Sequence, residues 1–196
     1  MTHDRQEQLD QIAREVAALE ESPLYEFRVQ EGYRPVIGTG DPHAAIMFVG
    51  EAPGKQEAKS GRPFVGAAGR ILDDLFASIG LSRDQVYITN VIKDRPPRNR
   101  DPHVVEIALY APFLARQIEI IRPRVIATLG RFAISFLLEH FGLAEAGGTI
   151  GDLHGQPIDA EAPYGPVTLV SLYHPASAFY VPERRDELLE DFQVLK

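Results

Sequence analysis

Four short apolar runs punctuate the chain about forty residues apart: Ala44–Val49, Val86–Val91, Val125–Leu129 and Val167–Leu172. Each is nearly continuous and rich in Val, Ile and Thr, the pattern of strands covered on both faces. Helical periods fill the intervals. Leu9, Ile12, Ala13, Val16 and Leu19 recur at helical spacing within the charged stretch Met1–Glu21. Ile71, Leu72, Leu75, Phe76 and Ile79 form a second face, stopped by Gly80. Val104–Ile121 carries a third, kinked by Pro112 and ended by Pro123; Phe132–Phe141 stops at Gly142, and Glu187–Leu195 closes the chain.

Strands alternating with helices imply right-handed crossovers. The expected fold is therefore α/β: a three-layer α/β/α sandwich with a central four-stranded parallel sheet, forming one domain over residues 1–196. Ala144–Pro166, rich in Gly and Pro, reads as a long connection before the last strand. No repeat and no low-complexity segment interrupts this plan.

Composition then narrows the chemistry. A hydrophobic content of 44% over 196 residues supplies one core and excludes disorder. The chain has no Cys, which rules out disulfides, thiolate zinc sites, cysteine nucleophiles and Cys-ligated iron–sulfur clusters. The apolar runs are too short to span a membrane, and Met1–Glu21 lacks the pattern of a signal peptide. A cytoplasmic monomer without membrane contact is the expectation. Net charge is −8, from 20 Lys and Arg against 28 Asp and Glu, which argues against nucleic acid as a partner. Locally the balance reverses: Lys93, Arg95, Arg98 and Arg100 outnumber Asp94 and Asp101.

Ligands of open parallel sheets bind beyond the carboxyl ends of the strands. The first run leads there into Gly50-Glu51-Ala52-Pro53-Gly54, the second into Thr89-Asn90 and the Lys93–Arg100 loop, and the last into Tyr173-His174-Pro175. A carboxylate, two amides (Asn90 and Asn99) and an imidazole thus converge on one crevice. Each has a plainer reading: Glu51 as a helix cap, Asn90 as an Asx-turn residue, His174 as a structural histidine, Phe64 as core, and the basic loop as a solvated surface. Their joint placement favours a site. Gly50–Lys55 is not a phosphate-binding P-loop, because the glycine spacing is wrong and Gln56 stands where Ser or Thr is required. Ligand spacing for a metal is likewise missing, so neither a metal nor another cofactor is expected.

Gly50-Glu-Ala-Pro-Gly54, Gly61-Arg-Pro-Phe-Val-Gly66, Tyr87-Ile-Thr-Asn-Val91, Lys93-x-Arg-Pro-Pro97-x-Asn99-Arg100 and His174-Pro175 closely resemble the family-4 uracil-DNA glycosylases, in order, from about Gly38 to Pro175. The resemblance implies a DNA-repair hydrolase that cleaves the N-glycosidic bond of uracil in DNA and leaves an abasic site. It also implies a four-cysteine iron–sulfur cluster, whose ligand positions fall here near Leu19 and Ser22 and at Asp94 and Tyr110; none is Cys. A second departure follows His174-Pro175, where Ala176-Ser-Ala-Phe-Tyr180 replaces the usual Ser, leucines and Arg, altering the element that would wedge into the duplex.

Carried over residue by residue, the resemblance implies that Phe64 stacks on the flipped base, while Gly50 and Ala52 line its pocket. Asn90 bonds the uracil edge, and Glu57 stands near C5 to exclude a thymine methyl. His174 donates to O2 as negative charge develops there. Either Glu51 or Asn99 orients the attacking water. Lys93, Arg95, Arg98, Arg100 and Ser177 contact the DNA. Two other readings remain open: an inactive relative that only binds uracil or abasic DNA, and a nucleotide-binding hydrolase using the same crevice.

Overall fold

The computed structural model of the chain describes residues 4–146 and 148–196. In chain order, Arg5–Ala17 (α1) and Tyr25–Gln30 (α2) precede the short strand Thr39–Gly40 (β1) and Ile46–Gly50 (β2). Lys55–Ser60 (α3) and Ala67–Ser78 (α4) lead to Tyr87–Asn90 (β3), and Val104–Ile121 (α5) leads to Val125–Leu129 (β4). Arg131–His140 (α6) and Ile150–Leu153 (α7) lead to a hairpin of Pro157–Ala162 (β5) and Gly165–Leu172 (β6), and Arg184–Phe192 (α8) follows. The N-terminal helix covers the expected Leu9, Ile12 and Val16 face; Met1, Thr2 and His3 of that expected stretch lie outside the described residues.

The sheet has six strands in the order β1-β3-β2-β4-β6-β5. Its four central strands are parallel and are those the apolar runs mark. The expectation of a four-stranded sheet misses the two antiparallel edges, β1 on β3 and β5 on β6. The first is two residues long. The second, Pro-Ile-Asp-Ala-Glu-Ala, starts on Pro and carries two acids, which an edge strand tolerates and a central one does not. Ala144–Pro166 is therefore not a plain connection: it holds a 3₁₀ turn (Ala144–Ala146), α7 and β5. Pro112 sits inside α5, which continues through it.

The two-residue strand period sends alternate side chains to opposite layers. Met47, Val49, Tyr87, Ile126 and Leu169 join the core beneath α1, α5 and α6, with Leu114, Ile118 and Leu137. Phe48, Ile88, Ala127, Val170 and Leu172 join the other, with Leu75, Phe76, Leu188 and Phe192 from α4 and α8. The Phe48 ring packs edge-on to Phe76 at 4.9 Å and stacks on Phe192 at 5.9 Å. Removing such a ring costs about 3–5 kcal/mol. Continuing the same alternation past the apolar segments puts Gly50 in phase with Phe48, Asn90 with Ile88, and His174 with Leu172. That phase positions the site.

Candidate active site

At the strand ends Gly50 pairs in register with Asn90. A Cβ on Gly50 would stand 2.4 Å from Asn90 Oδ1 and 2.7 Å from the Phe64 ring, so only glycine lets the amide and the ring come this close. Asn90 is 1% exposed, and its Oδ1 is buried with no hydrogen-bond partner. A buried orphan acceptor is costly, and an N–H arriving with a ligand would satisfy this oxygen. The Phe64 and His174 rings face each other with centroids 5.7 Å apart and an interplanar angle of 31°. Phe64 is both wall and core, since its buried ring also packs on the layer of Phe48 and Phe76.

The loop that carries Phe64 is held from both sides. Phe64 takes a left-handed conformation (φ 50°), a sparsely populated region for a side chain of this size. Arg83 donates to the carbonyls of Pro63 (3.2 Å) and Phe64 (2.5 Å) while its Nε bonds Asp73. Opposite, Glu57 Oε1 accepts the N–H groups of Val65 (2.9 Å) and Gly66 (2.8 Å). Glu57 thus anchors the backbone of this loop. The sequence reading missed Arg83 altogether, because nothing local distinguishes it from a surface arginine.

His174 is half-buried by area but closely surrounded by protein, and that desolvation pulls its imidazole down to about 4 against a smaller upward pull from Glu57. It is neutral at physiological pH. Its Nδ1 accepts the Ala176 N–H at 3.1 Å, which fixes the tautomer: the proton sits on Nε2, which is a donor. Ser177 gives its hydroxyl proton to the His174 carbonyl (2.7 Å), and its N–H bonds the same oxygen. With both of its donors on the His174 carbonyl, Ser177 braces the histidine turn.

Glu51 has its carboxyl raised to about 7, first by burial and then by the charge of Asp101, with Arg131 opposing. Asp101 and Arg131 pair with each other at 2.5 Å. The backbone of this motif is tied to the next strand through Val91 N–H on the Gly50 carbonyl and Ile92 N–H on that of Glu51. Ala52 packs partly buried beside it.

The basic loop splits into different roles. Lys93 is 0% exposed and cannot reach DNA, which corrects its assignment as a phosphate contact. Its ammonium folds inward because three fixed acceptors await it there. Arg100 is spent on Glu106, which it grips at 2.9 and 2.5 Å; Glu106 is itself fully buried and caps the N-terminus of α5 through the His103 N–H. Arg100 thus braces a helix start. Arg95 lies over the rings of Tyr33 (5.5 Å) and Phe27 (6.0 Å) and donates from Nε to Asn99 Oδ1 at 2.8 Å. Arg98 is exposed, and Arg98 and Asn99 both have positive φ (57° and 54°), a sharp reversal at the loop tip. Asn99 is exposed, its Oδ1 taken by Arg95.

The four positions where the resemblance places cluster ligands do not fit one. Ser22 and Tyr110 hydroxyls lie 2.8 Å apart, Tyr110 donates to Asp94 at 2.6 Å, Asp94 meets Arg28 at 2.9 Å, and Leu19 is buried apolar. No thiolate is available, and the oxygens are already bonded to one another and to a guanidinium. Arg28 and Gln117, both buried, escaped sequence reading. Gln117 left a signal: it falls on the helix face shared by Leu114, Ile118 and Ile121.

Over the ends of a mostly parallel sheet stand two facing rings, an orphan amide oxygen and a fixed imidazole donor, the arrangement of an α/β protein with its polar groups gathered at the strand ends. The family model for the uracil DNA glycosylase superfamily matches residues 37–196, and the chain belongs to that superfamily. It is 44% identical over 187 residues to the type-4 uracil-DNA glycosylase of Archaeoglobus fulgidus, covering 95% of this chain and 91% of that one. It is 45% identical to the type-4 enzyme of Saccharolobus solfataricus (96% and 85% covered) and 37% identical to that of Thermotoga maritima (99% and 96%).

Proposed function

We propose that the protein is a uracil-DNA glycosylase that flips a uracil nucleotide into the slot between Phe64, Asn90 and His174 and hydrolyses its N-glycosidic bond. The observation that carries this reading is the orphan Asn90 Oδ1 beside the Phe64 ring. Uracil offers N3–H to that oxygen and O4 to the amide nitrogen. Cytosine presents the reverse pattern at both atoms and would leave buried groups unsatisfied.

As the C1′–N1 bond lengthens, its electron pair moves onto the base and positive charge grows on the sugar. The neutral His174 Nε2–H strengthens its bond to O2 as that oxygen gains charge, which lowers the barrier more than it tightens the ground state. Above pH 7 an ionised Glu51 accepts a proton from the attacking water and offsets the sugar's charge. Asn99 joins Glu51 in orienting that water once DNA closes over the loop and draws its side chain from Arg95. Arg98 contacts phosphate. Phe179 and Tyr180, 52% and 84% exposed just past His174, supply the apolar wedge that props the unstacked helix.

The test is a uracil-containing oligonucleotide incubated with protein and excess chelator, then cut with alkali. Cleavage at the uracil position is expected. Tight binding to uracil or abasic DNA without any cleavage would overturn the reading in favour of a binding protein.

A further inference from the structure

Behind Asn90 lies a buried lysine that the reaction described above does not use. Lys93 is wholly buried, and its Nζ donates to the Asn90 carbonyl at 2.6 Å, to Gln117 Oε1 at 2.6 Å and to Thr89 Oγ1 at 2.9 Å. Each partner is locked as an acceptor. The Thr89 hydroxyl gives its own proton to the Ile37 carbonyl at 2.5 Å. The Gln117 amide nitrogen donates to the same carbonyl at 2.9 Å and to Tyr87 Oη at 3.3 Å, which turns its oxygen toward the lysine.

Three acceptors match the three N–H bonds of an ammonium; a neutral amine would press its lone pair against one of them. Burial acts in the opposite direction and pulls the ammonium's pKa well down. The hydrogen-bond complement is that of the charged form, and no carboxylate is among its partners. Asp94, next in the chain, is bonded to Arg28 and Tyr110. The charge of an ammonium at this position would therefore not be cancelled locally, and burial away from water would let its field reach further. Immediately beyond the carbonyl it grips lies the Asn90 side chain that faces the slot.

We propose that Lys93 is a positioning residue for the leaving base: it fixes the main chain of Asn90 and sets a positive potential behind the uracil edge that favours the ring anion formed when the C1′–N1 pair departs. This rests on the glycosylase reading. The electron pair leaves with N1, water supplies the new C1′–O bond, and the water proton passes to Glu51 or solvent; Lys93 keeps its protons throughout.

Lys93→Met tests the proposal through leaving-group dependence. Single-turnover rates under saturating enzyme are compared on matched strands holding uracil or 5-fluorouracil, whose ring departs more readily as an anion. With uracil the rate should fall about 10-fold, less than the 10²–10³ seen for a direct oxyanion donor. With 5-fluorouracil it should fall much less, and affinity for abasic DNA should stay within about twofold. Equal losses on the two bases, or no loss on uracil, would overturn the proposal. If Lys93→Met does not fold, nitrogen NMR of the wild type labelled in its lysine side chains decides: three protons on Lys93 Nζ at the pH of activity support the proposal and two reject it. A wild type that excises neither base fails at the glycosylase reading itself, a different result.

Discussion

Inside the first core layer the Arg28 guanidinium meets the Asp94 carboxylate at 2.9 Å, with side chains 6% and 1% exposed. The same guanidinium donates to the carbonyls of Val16 (3.0 Å) and Ala17 (2.7 Å), so one side chain joins α1, α2 and the start of the basic loop. Tyr110 extends the tie to α5, and Ser22 closes it. Where the family resemblance implies a metal-bridged brace, this chain has a bonded chain of oxygens around one cation. Asp94 has Arg95 and Arg98 close by in sequence, yet its partner is Arg28, 66 positions earlier.

Asp94→Ala should cost about 3–5 kcal/mol, because it strands a buried guanidinium, while replacing both partners by apolar residues of similar size should cost much less than either single change. Burial holds the Asp94 carboxyl above its ordinary range even against Tyr110 and Arg28. Denaturant midpoints of Arg28→Met, Asp94→Leu and the double variant measure this directly. Additive losses in the double variant would show that the two side chains do not act as a pair.

The two loop arginines should separate cleanly. Arg98→Ala is expected to weaken binding to every DNA sequence alike and to reduce the salt slope by about 0.9, the contribution of one phosphate contact. Arg100→Ala should leave that slope unchanged and lower the melting temperature, since it uncovers the buried Glu106 at the start of α5. Salt titrations of binding beside thermal melts distinguish them, and a slope that moves with Arg100 would return that residue to the DNA surface.

What sequence could and could not reveal follows from the same contrast. Continuous apolar runs identify the four central strands because burial on both faces leaves no room for polar residues. Period two then carries Gly50, Asn90 and His174 to one face. β1 and β5 were illegible because short edge strands obey solvent as much as the sheet. Lys93 misled for a different reason: beside Arg95, Arg98 and Arg100 it reads as one more surface charge, and only the three-dimensional meeting of Thr89, Asn90 and Gln117 explains why it turns inward. Arg28 and Arg83 bond backbone and carboxylates from distant segments, which no local pattern announces.

Glu51 should set the lower limb of the pH profile. With its carboxyl near 7, the single-turnover rate should rise about tenfold per pH unit below that value and level off above it. Glu51→Gln should lower the plateau by on the order of 10²-fold and flatten the limb. Stability gives the opposite sign. A folded-state pKa above the unfolded value binds its proton better in the native protein, so this group's contribution is fully present below about 4.5 and is lost as pH rises through 7. Glu51→Gln should therefore be more stable than wild type at pH 8 and equal to it near pH 4.5. Melting temperatures at the two pH values check this, and a variant less stable at pH 8 would reject the assignment.

His174 should act in the transition state and not in binding. Its Nε2–H is fixed by the Ala176 N–H on Nδ1, so the ring offers one donor to O2 without carrying charge. His174→Ala should lower the single-turnover rate on the order of 10²–10³ while affinity for uracil DNA stays nearly intact, the range for loss of one oxyanion donor. Because burial holds the imidazole near 4, no limb from this residue should appear between pH 5 and 8, where Glu51 alone sets the profile. The sign for stability runs as it does for an acidic group with a depressed pKa. The unfolded chain takes up the proton first, so His174 costs nothing above its ordinary range near 6.5 and destabilises progressively as pH falls from there toward 4. The decisive measurement is the rate of His174→Ala at saturating enzyme. A value equal to wild type would move the residue from the chemical step to DNA binding, and an acid limb that vanished with His174 instead of Glu51 would exchange the two roles.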